Sequence, residues 1–278
     1  MRVIRAPQQM GQAVDRLRAR GQRIGVVPTM GALHEGHCSL IRRAARECDA
    51  VIVTIFVNPL QFGPREDFRR YPRPLATDLR LAASAGATLA FVPPAASVFP
   101  PGFQTRIAVG RLGAIWEGKV RPGHFTGVAT VVSILFNLTR PHRAYFGQKD
   151  LQQTLVIRQL IRDLGLPITL RVLPTRREPD GLAMSSRNAY LDADERRRAL
   201  ALWQALRAAR EAIRRGERRS ARVEAAMRWA AKSVRVQYAA AVDADTLARR
   251  PRLSRRSALI IAATVGKTRL IDNLLVDV

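Results

Sequence analysis

The chain has 278 residues, 47% of them hydrophobic, enough to bury a sizeable core without disulfides or a structural metal and longer than most single domains, so one large domain and a smaller one are expected. Its two cysteines, Cys38 and Cys48, have no CxxC partner and no histidine at zinc-finger spacing, which excludes a disulfide scaffold and implies a reducing compartment. Lysine and arginine number 47 against 22 acidic residues, yet the surplus is spread along the chain (23 basic against 12 acidic from Arg176 onward) and only Lys119, Lys149, Lys232 and Lys267 are lysine, so it reads as compositional bias that attracts anionic nucleotides and not as a nucleic-acid-binding face.

The N-terminal stretch has no apolar core of the kind a signal peptide needs, and no segment approaches the roughly 20 uninterrupted apolar residues of a membrane helix. A soluble, cytoplasmic protein with no membrane and no nucleic-acid partner is expected. Apolar runs at 24–27, 50–57, 88–92, 143–146 and 168–173 read as buried parallel strands. Between them, 39–47, 75–85, 128–138 and 151–164 carry apolar residues at three-to-four spacing and read as helices, with Gly86, Gly165 and Pro167 as stops. This is the rhythm of a doubly wound (Rossmann-like) parallel α/β sheet. After about Arg177 the texture changes to arginine- and alanine-rich helices at 194–215 and 220–235 and short strands at 236–242 and 259–263. The expected division is a nucleotide- and substrate-binding domain over 1–176 and a second, smaller α/β domain over 177–278.

Three stretches can carry chemistry. The strand at 24–27 runs through Pro28, Thr29 and Met30 into His34, Glu35, Gly36 and His37 at a helix start, where backbone N–H groups favour phosphate and Gly36 permits close approach. The histidines are three apart and the pattern is not H-E-x-x-H, which speaks against zinc. At the end of the strand at 143–146, Gly147, Gln148, Lys149 and Asp150 open a helix. A lysine in an arginine-saturated chain suggests that a compact ammonium is needed there, while Asp150 suits ribose hydroxyls or a helix cap. Finally, Met184, Ser185, Ser186, Arg187 and Asn188 offer two hydroxyls and a guanidinium for terminal phosphates; an ordinary interdomain turn is the competing reading. Gly266, Lys267 and Thr268 imitate the tail of a P-loop, but position 261 is isoleucine where that motif needs glycine.

The His-x-Gly-His pattern resembles that of nucleotidyltransferases and class I aminoacyl-tRNA synthetases. The ordered set VPTMGALHEGH, NPLQFG at 58–63, RPGHFTGV at 121–128, YFGQKDLQQ at 145–153, DGLAMSSRN at 180–188 and GKTRLIDN at 266–273 is similar to the pantothenate synthetase (pantoate–β-alanine ligase) family over nearly the whole chain. That resemblance implies an AMP-forming ligase acting on ATP, pantoate and β-alanine, and a homodimer. It places His34, His37, Lys149, Ser185, Ser186 and Arg187 on the triphosphate, and Pro28, Thr29, Met30, Gly36, Gly147, Asp150 and Met184 around the nucleotide. Gln61 and Gln153 would hold pantoate, with Asn58 beside them and Met30 and Phe62 against its gem-dimethyl group. Magnesium would accompany ATP, with Asp78 as its acidic ligand. Residues 177–278 would form a lid. Two departures from the family pattern, Gln148 in place of glutamate and Cys38 in place of leucine, remove no group assigned to chemistry.

Overall fold

The computed structural model describes residues 1–64 and 66–278. By its contacts the chain divides into two compact units, Met1–Gly147 with Gln153–Leu173, and Gln148–Gln152 with Pro174–Val278.

The first unit holds six strands, β1 (Arg2–Ile4), β2 (Ile24–Thr29), β3 (Ala50–Ile55), β4 (Leu89–Phe91), β5 (Arg143–Gly147) and β6 (Thr169–Leu173), all parallel, in the order β1-β4-β3-β2-β5-β6. Its helices are α1 (Pro7–Ala19), α2 (Glu35–Glu47), α3 (Leu75–Ser84), the short α4 (Ala95–Val98), α5 (Gly110–Ala114) and α6 (Glu117–Val120), then α7 (His124–Thr139) and α8 (Leu151–Asp163). Because side chains alternate along a strand, Val26 and Ile52 enter one apolar cluster with α1, α7 and α8, while Val27, Val51 and Val53 enter another with α2 and α3. Both faces of the sheet are therefore covered, which is why every residue of β3 is buried and all but Thr54 are apolar. Fully burying a side chain such as Ile24 or Ile52 contributes about 2 kcal/mol.

The strand order reverses at β2. From it the chain steps to β3 on one side and later to β5 on the other, and β2 pairs with β5 only at Gly25 and Val26. Their carboxyl ends thus flank the crevice where open α/β sheets bind ligands.

The second unit is built on an antiparallel sheet, β7 (Arg235–Asp243), β8 (Arg256–Val265) and β9 (Thr268–Asp277), covered by α9 (Ala193–Arg214) and α10 (Ser220–Ala230). Leu202, Leu206, Val223 and Met227 from the helices meet Leu259 and Ile261 from β8. Helix α9 starts on a capping box: the Asp192 carboxylate accepts the Glu195 N–H at 2.7 Å and Glu195 accepts the Asp192 N–H at 3.3 Å. Gly266 and Lys267 form the two-residue turn of the β8–β9 hairpin, with Gly266 at φ +54, which accounts for the false P-loop signature. The expected helix at 220–235 is shorter, and the expected strands at 236–242 and 259–263 are longer. Among the described residues no helix is long and apolar enough to cross a membrane.

Candidate active site

Beyond β2 the backbone turns through Gly31 at φ +82 and Ala32 at φ +49. The left-handed region costs a non-glycine residue about 1–2 kcal/mol, and Asp78 on α3 supplies the compensation. Its carboxylate, 1% exposed, accepts the Ala32 N–H at 2.9 Å and the Leu33 N–H at 2.7 Å. A Cβ on Gly31 would stand 2.9 Å from Asp78 Oδ2. Both carboxylate oxygens thus face donors inside the protein, and among the described residues no group of three or more His, Cys, Asp or Glu side chains could hold a metal ion. Those two bonds commit Asp78 to shaping the loop that leads to His34, a role that competes with the expected one as magnesium ligand. Asp78→Asn puts an amide N–H against a backbone N–H and is expected to destabilise the protein by about 2 kcal/mol. Thermal melts check this, and a variant as stable as wild type would remove the role.

Thr29 is likewise committed within the protein, donating to the Thr54 carbonyl at 2.6 Å and accepting the Gly31 N–H at 3.3 Å. His34 is the N-cap of α2. Its Nδ1 accepts the Gly36 N–H at 3.1 Å, and His37 Nδ1 accepts the His34 N–H at 3.3 Å, a capping box made of imidazoles. A ring nitrogen that accepts carries no proton, so each neutral ring holds its hydrogen on Nε2. Two such donors, on rings whose centroids are 4.1 Å apart at a helix N-terminus, suit anionic oxygens. Burial, with Glu35 adding, pushes the neighbouring Cys38 thiol up, as befits a packed and unreactive side chain.

The turn after β3 presents Gln61. Asn58, 1% exposed, accepts the Leu60 N–H at 3.2 Å through Oδ1 and donates through Nδ2 to the Gly127 carbonyl at 3.1 Å, and these backbone partners fix its amide orientation. The same Nδ2 donates to Gln61 Oε1 at 3.0 Å, which leaves Gln61 Nε2 on the other side, 3.2 Å from Met30 Sδ. Asn58 therefore orients Gln61, its own amide being occupied by protein. The turn lies so close to α7 that a Cβ on Gly127 would come within 2.3 Å of the Leu60 carbonyl oxygen. Phe62 packs 5.4 Å from Phe68 and 6.0 Å from Tyr71, centroid to centroid. Gln153 is the half-buried third residue of α8.

The Gln61 carbonyl in turn accepts from His124 Nδ1 at 2.9 Å and from Arg121 Nη2 at 3.3 Å; Arg121 Nη1 lies 3.1 Å from His124 Nε2, and Arg121 grips Glu66 at 2.7 and 2.5 Å. A carbonyl only accepts and a guanidinium only donates, so His124 is neutral with its proton on Nδ1. Burial, reinforced by Arg121, pushes its pKa down to about 4. The unfolded imidazole takes up a proton near pH 6.5 that the folded ring refuses. The stability held by the neutral ring is thus complete above pH 6.5 and falls away as pH drops toward 4, by up to roughly 3 kcal/mol. Melts between pH 7 and 4 should show a shallower loss for His124→Phe than for wild type; equal slopes would contradict this source of acid sensitivity.

In the second unit, Asn273 on β9 secures the turn that carries Lys149. Its Nδ2 donates to the Gln148 and Lys149 carbonyls at 2.9 and 2.8 Å, and its Oδ1 accepts from Gln148 Nε2 at 3.3 Å. Lys149 Nζ lies 3.6 Å from Asp150 Oδ1. Asp272, beside Asn273, is held by Arg177 at 2.6 and 3.0 Å, and that guanidinium stacks 3.8 Å over the Trp203 ring while donating to the Gly181 carbonyl at 3.1 Å. One buried ion pair therefore braces both the lysine turn and the segment that leads to the serines. Ser185 caps the turn Ser186–Tyr190, accepting the Arg187 N–H at 3.2 Å, and the Met184 N–H donates to the Arg176 carbonyl at 2.9 Å. At Gly147 a Cβ would meet no protein atom within 4 Å, so nothing in the fold demands glycine there.

The model of the family described as pantoate-beta-alanine ligase matches residues 2–275. The chain belongs to the pantoate–β-alanine ligase family. It is 52% identical to the pantothenate synthetase of Rubrobacter xylanophilus over 98% of this chain and 97% of that protein. The crystal structure of pantothenate synthetase from Thermus thermophilus superposes with a TM-score of 0.94 at 46% identity, covering 99% of each chain. That of pantoate-beta-alanine ligase from Francisella tularensis, complexed with beta-gamma ATP and beta-alanine, gives 0.82 at 36% identity over 99% of this chain and 97% of that one. As a member of this ligase family, the chain carries the expected α/β nucleotide fold. Working residues that sequence reasoning missed are His124 and Arg121, quoted in RPGHFTGV without a role, and Arg177, Asp272 and Asn273. Asp272 and Asn273 were signalled by interrupting the apolar run LIDNLLV at 270–276, whereas Arg121, His124 and Arg177 stand in polar stretches that give no such signal.

Proposed function

We propose that this ligase condenses pantoate with β-alanine at the expense of ATP through a pantoyl adenylate. The observation that carries the reading is the pair of imidazoles, His34 and His37, that forms the capping box at the start of α2, in a chain of this family. In the first step a pantoate carboxylate oxygen bonds to the α-phosphorus and the bond to the β-phosphate oxygen breaks, releasing pyrophosphate. In the second, the neutral amine of β-alanine bonds to the acyl carbon, the carbon–oxygen bond to AMP breaks, and the amine proton passes to solvent or the departing phosphate. No enzyme nucleophile is needed; positioning and charge neutralisation carry both steps.

His34 and His37 donate to phosphate oxygens, and Lys149, Ser185, Ser186 and Arg187 neutralise charge on the triphosphate and on leaving pyrophosphate. Gly147, Asp150 and Met184 serve the adenosine, and Gln61 and Gln153 hold pantoate. Residues 177–278 act as the lid that keeps water from the mixed anhydride. Magnesium enters as part of the MgATP substrate, with no protein carboxylate assigned to it. The family resemblance supports a cytoplasmic homodimer, which light scattering tests by mass.

The decisive assay follows pyrophosphate and AMP from MgATP with no acid, with D-pantoate, with β-alanine and with both. Pyrophosphate with pantoate alone and sustained AMP only with both is the expected pattern. Release that ignores pantoate would refute the substrate assignment.

A further inference from the structure

Resting on the reading of Gln61 as a pantoate ligand, we infer that His124 is a positioning residue for pantoate, acting through the Gln61 carbonyl that its Nδ1–H holds. The turn that carries Gln61 is weakly tied to itself: its own backbone bonds, Gln61 N–H to the Asn58 carbonyl and Phe62 N–H to the Pro59 carbonyl, are 3.4 and 3.3 Å long, beyond the usual 2.7–3.2 Å range. The bond from His124 to the Gln61 carbonyl is 2.9 Å. Direction at Gln61 is therefore imposed from outside, at the main chain by His124 with Arg121 and at the side chain by Asn58.

The position needs one donor, one acceptor and no charge. Arg121 already presents its positive guanidinium to Nε2, so a lysine or arginine at 124 would set cation against cation and leave that guanidinium without its acceptor. A neutral imidazole satisfies all three demands, and Glu66 fixes Arg121 behind it. The imidazole is 8% exposed and its two nitrogens are engaged by protein, so it is a support for the pantoate ligand and takes no direct part in the reaction.

The test is steady-state kinetics of His124→Asn, His124→Gln and His124→Phe against wild type, varying each substrate in turn. Asparagine places its amide nitrogen where Nδ1 stands, whereas glutamine places it where Nε2 stands. His124→Phe and His124→Gln are expected to raise the KM for D-pantoate about 10-fold or more, with the KM for ATP within about 2-fold, and His124→Asn to return the pantoate KM to within about 3-fold of wild type. Should the phenylalanine variant fail to fold, the contrast between the two amides decides the matter. Parallel rises in all three KM values, an unchanged pantoate KM, or asparagine no better than glutamine would overturn the inference alone. A wild-type enzyme without pantoate-dependent pyrophosphate release would overturn it together with the functional reading.

Discussion

Lys149→Ala is expected to slow pantoate-dependent pyrophosphate release by about 1000-fold, the loss typical of removing one group that meets developing charge in a transition state. The fold should survive, because the turn is fastened by the Gln148 and Lys149 carbonyls to Asn273 and the substitution leaves both bonds in place. The ammonium approaches Asp150 at 3.6 Å, a pairing too loose to matter for stability. The loss should fall on turnover more than on the KM for ATP, since the charge to be met grows as pyrophosphate departs. Lys149→Arg should rescue poorly, a planar fork being a poor substitute for a compact point charge. Circular dichroism paired with a pyrophosphate assay reads both halves, and near-wild-type release from a folded Lys149→Ala protein would end the assignment.

Arg177→Ala is the substitution expected to cost the most stability, about 3–5 kcal/mol, because it strands the Asp272 carboxylate in the interior without its partner. The Asp272 side chain is 3% exposed, so water does not replace the guanidinium. The stacking on Trp203 and the bond to the Gly181 carbonyl go as well. A fall in the unfolding midpoint of the second unit on the order of 10 °C follows for a body of this size. Activity should drop too, since the ion pair adjoins the Asn273 clamp. Calorimetry of the purified variant measures the shift, and a midpoint within a degree or two of wild type would show that Asp272 is satisfied without Arg177.

Much of this architecture can be read directly from residue order. Fully buried parallel strands such as β3 announce themselves as apolar runs, and the glycine-bearing histidine motif falls where a strand hands over to a helix. What escaped reading did so for physical reasons. Strand β1 has only three residues, too few to show a period. Strand β9 carries Asp272 and Asn273 in its middle, which break the apolar alternation although both are buried, one by ion pairing and the other by clamping a distant turn. Asp78 was legible as an acid on a helix near the nucleotide motif, but its carboxylate's partners are backbone N–H groups 45 and 46 positions away, which no local pattern reveals. His124 looked like one histidine among four. Its work depends on a carbonyl 63 positions upstream.

The clamp from Asn273 also ties two distant parts of the chain into one event. The side chain that secures the turn of Lys149 lies 124 residues later, on β9, so that fastening is made only once β9 is in place. On the proposed role of Lys149, a protein cut before β9 would keep the residues of all six parallel strands and lack the fastening for its ammonium.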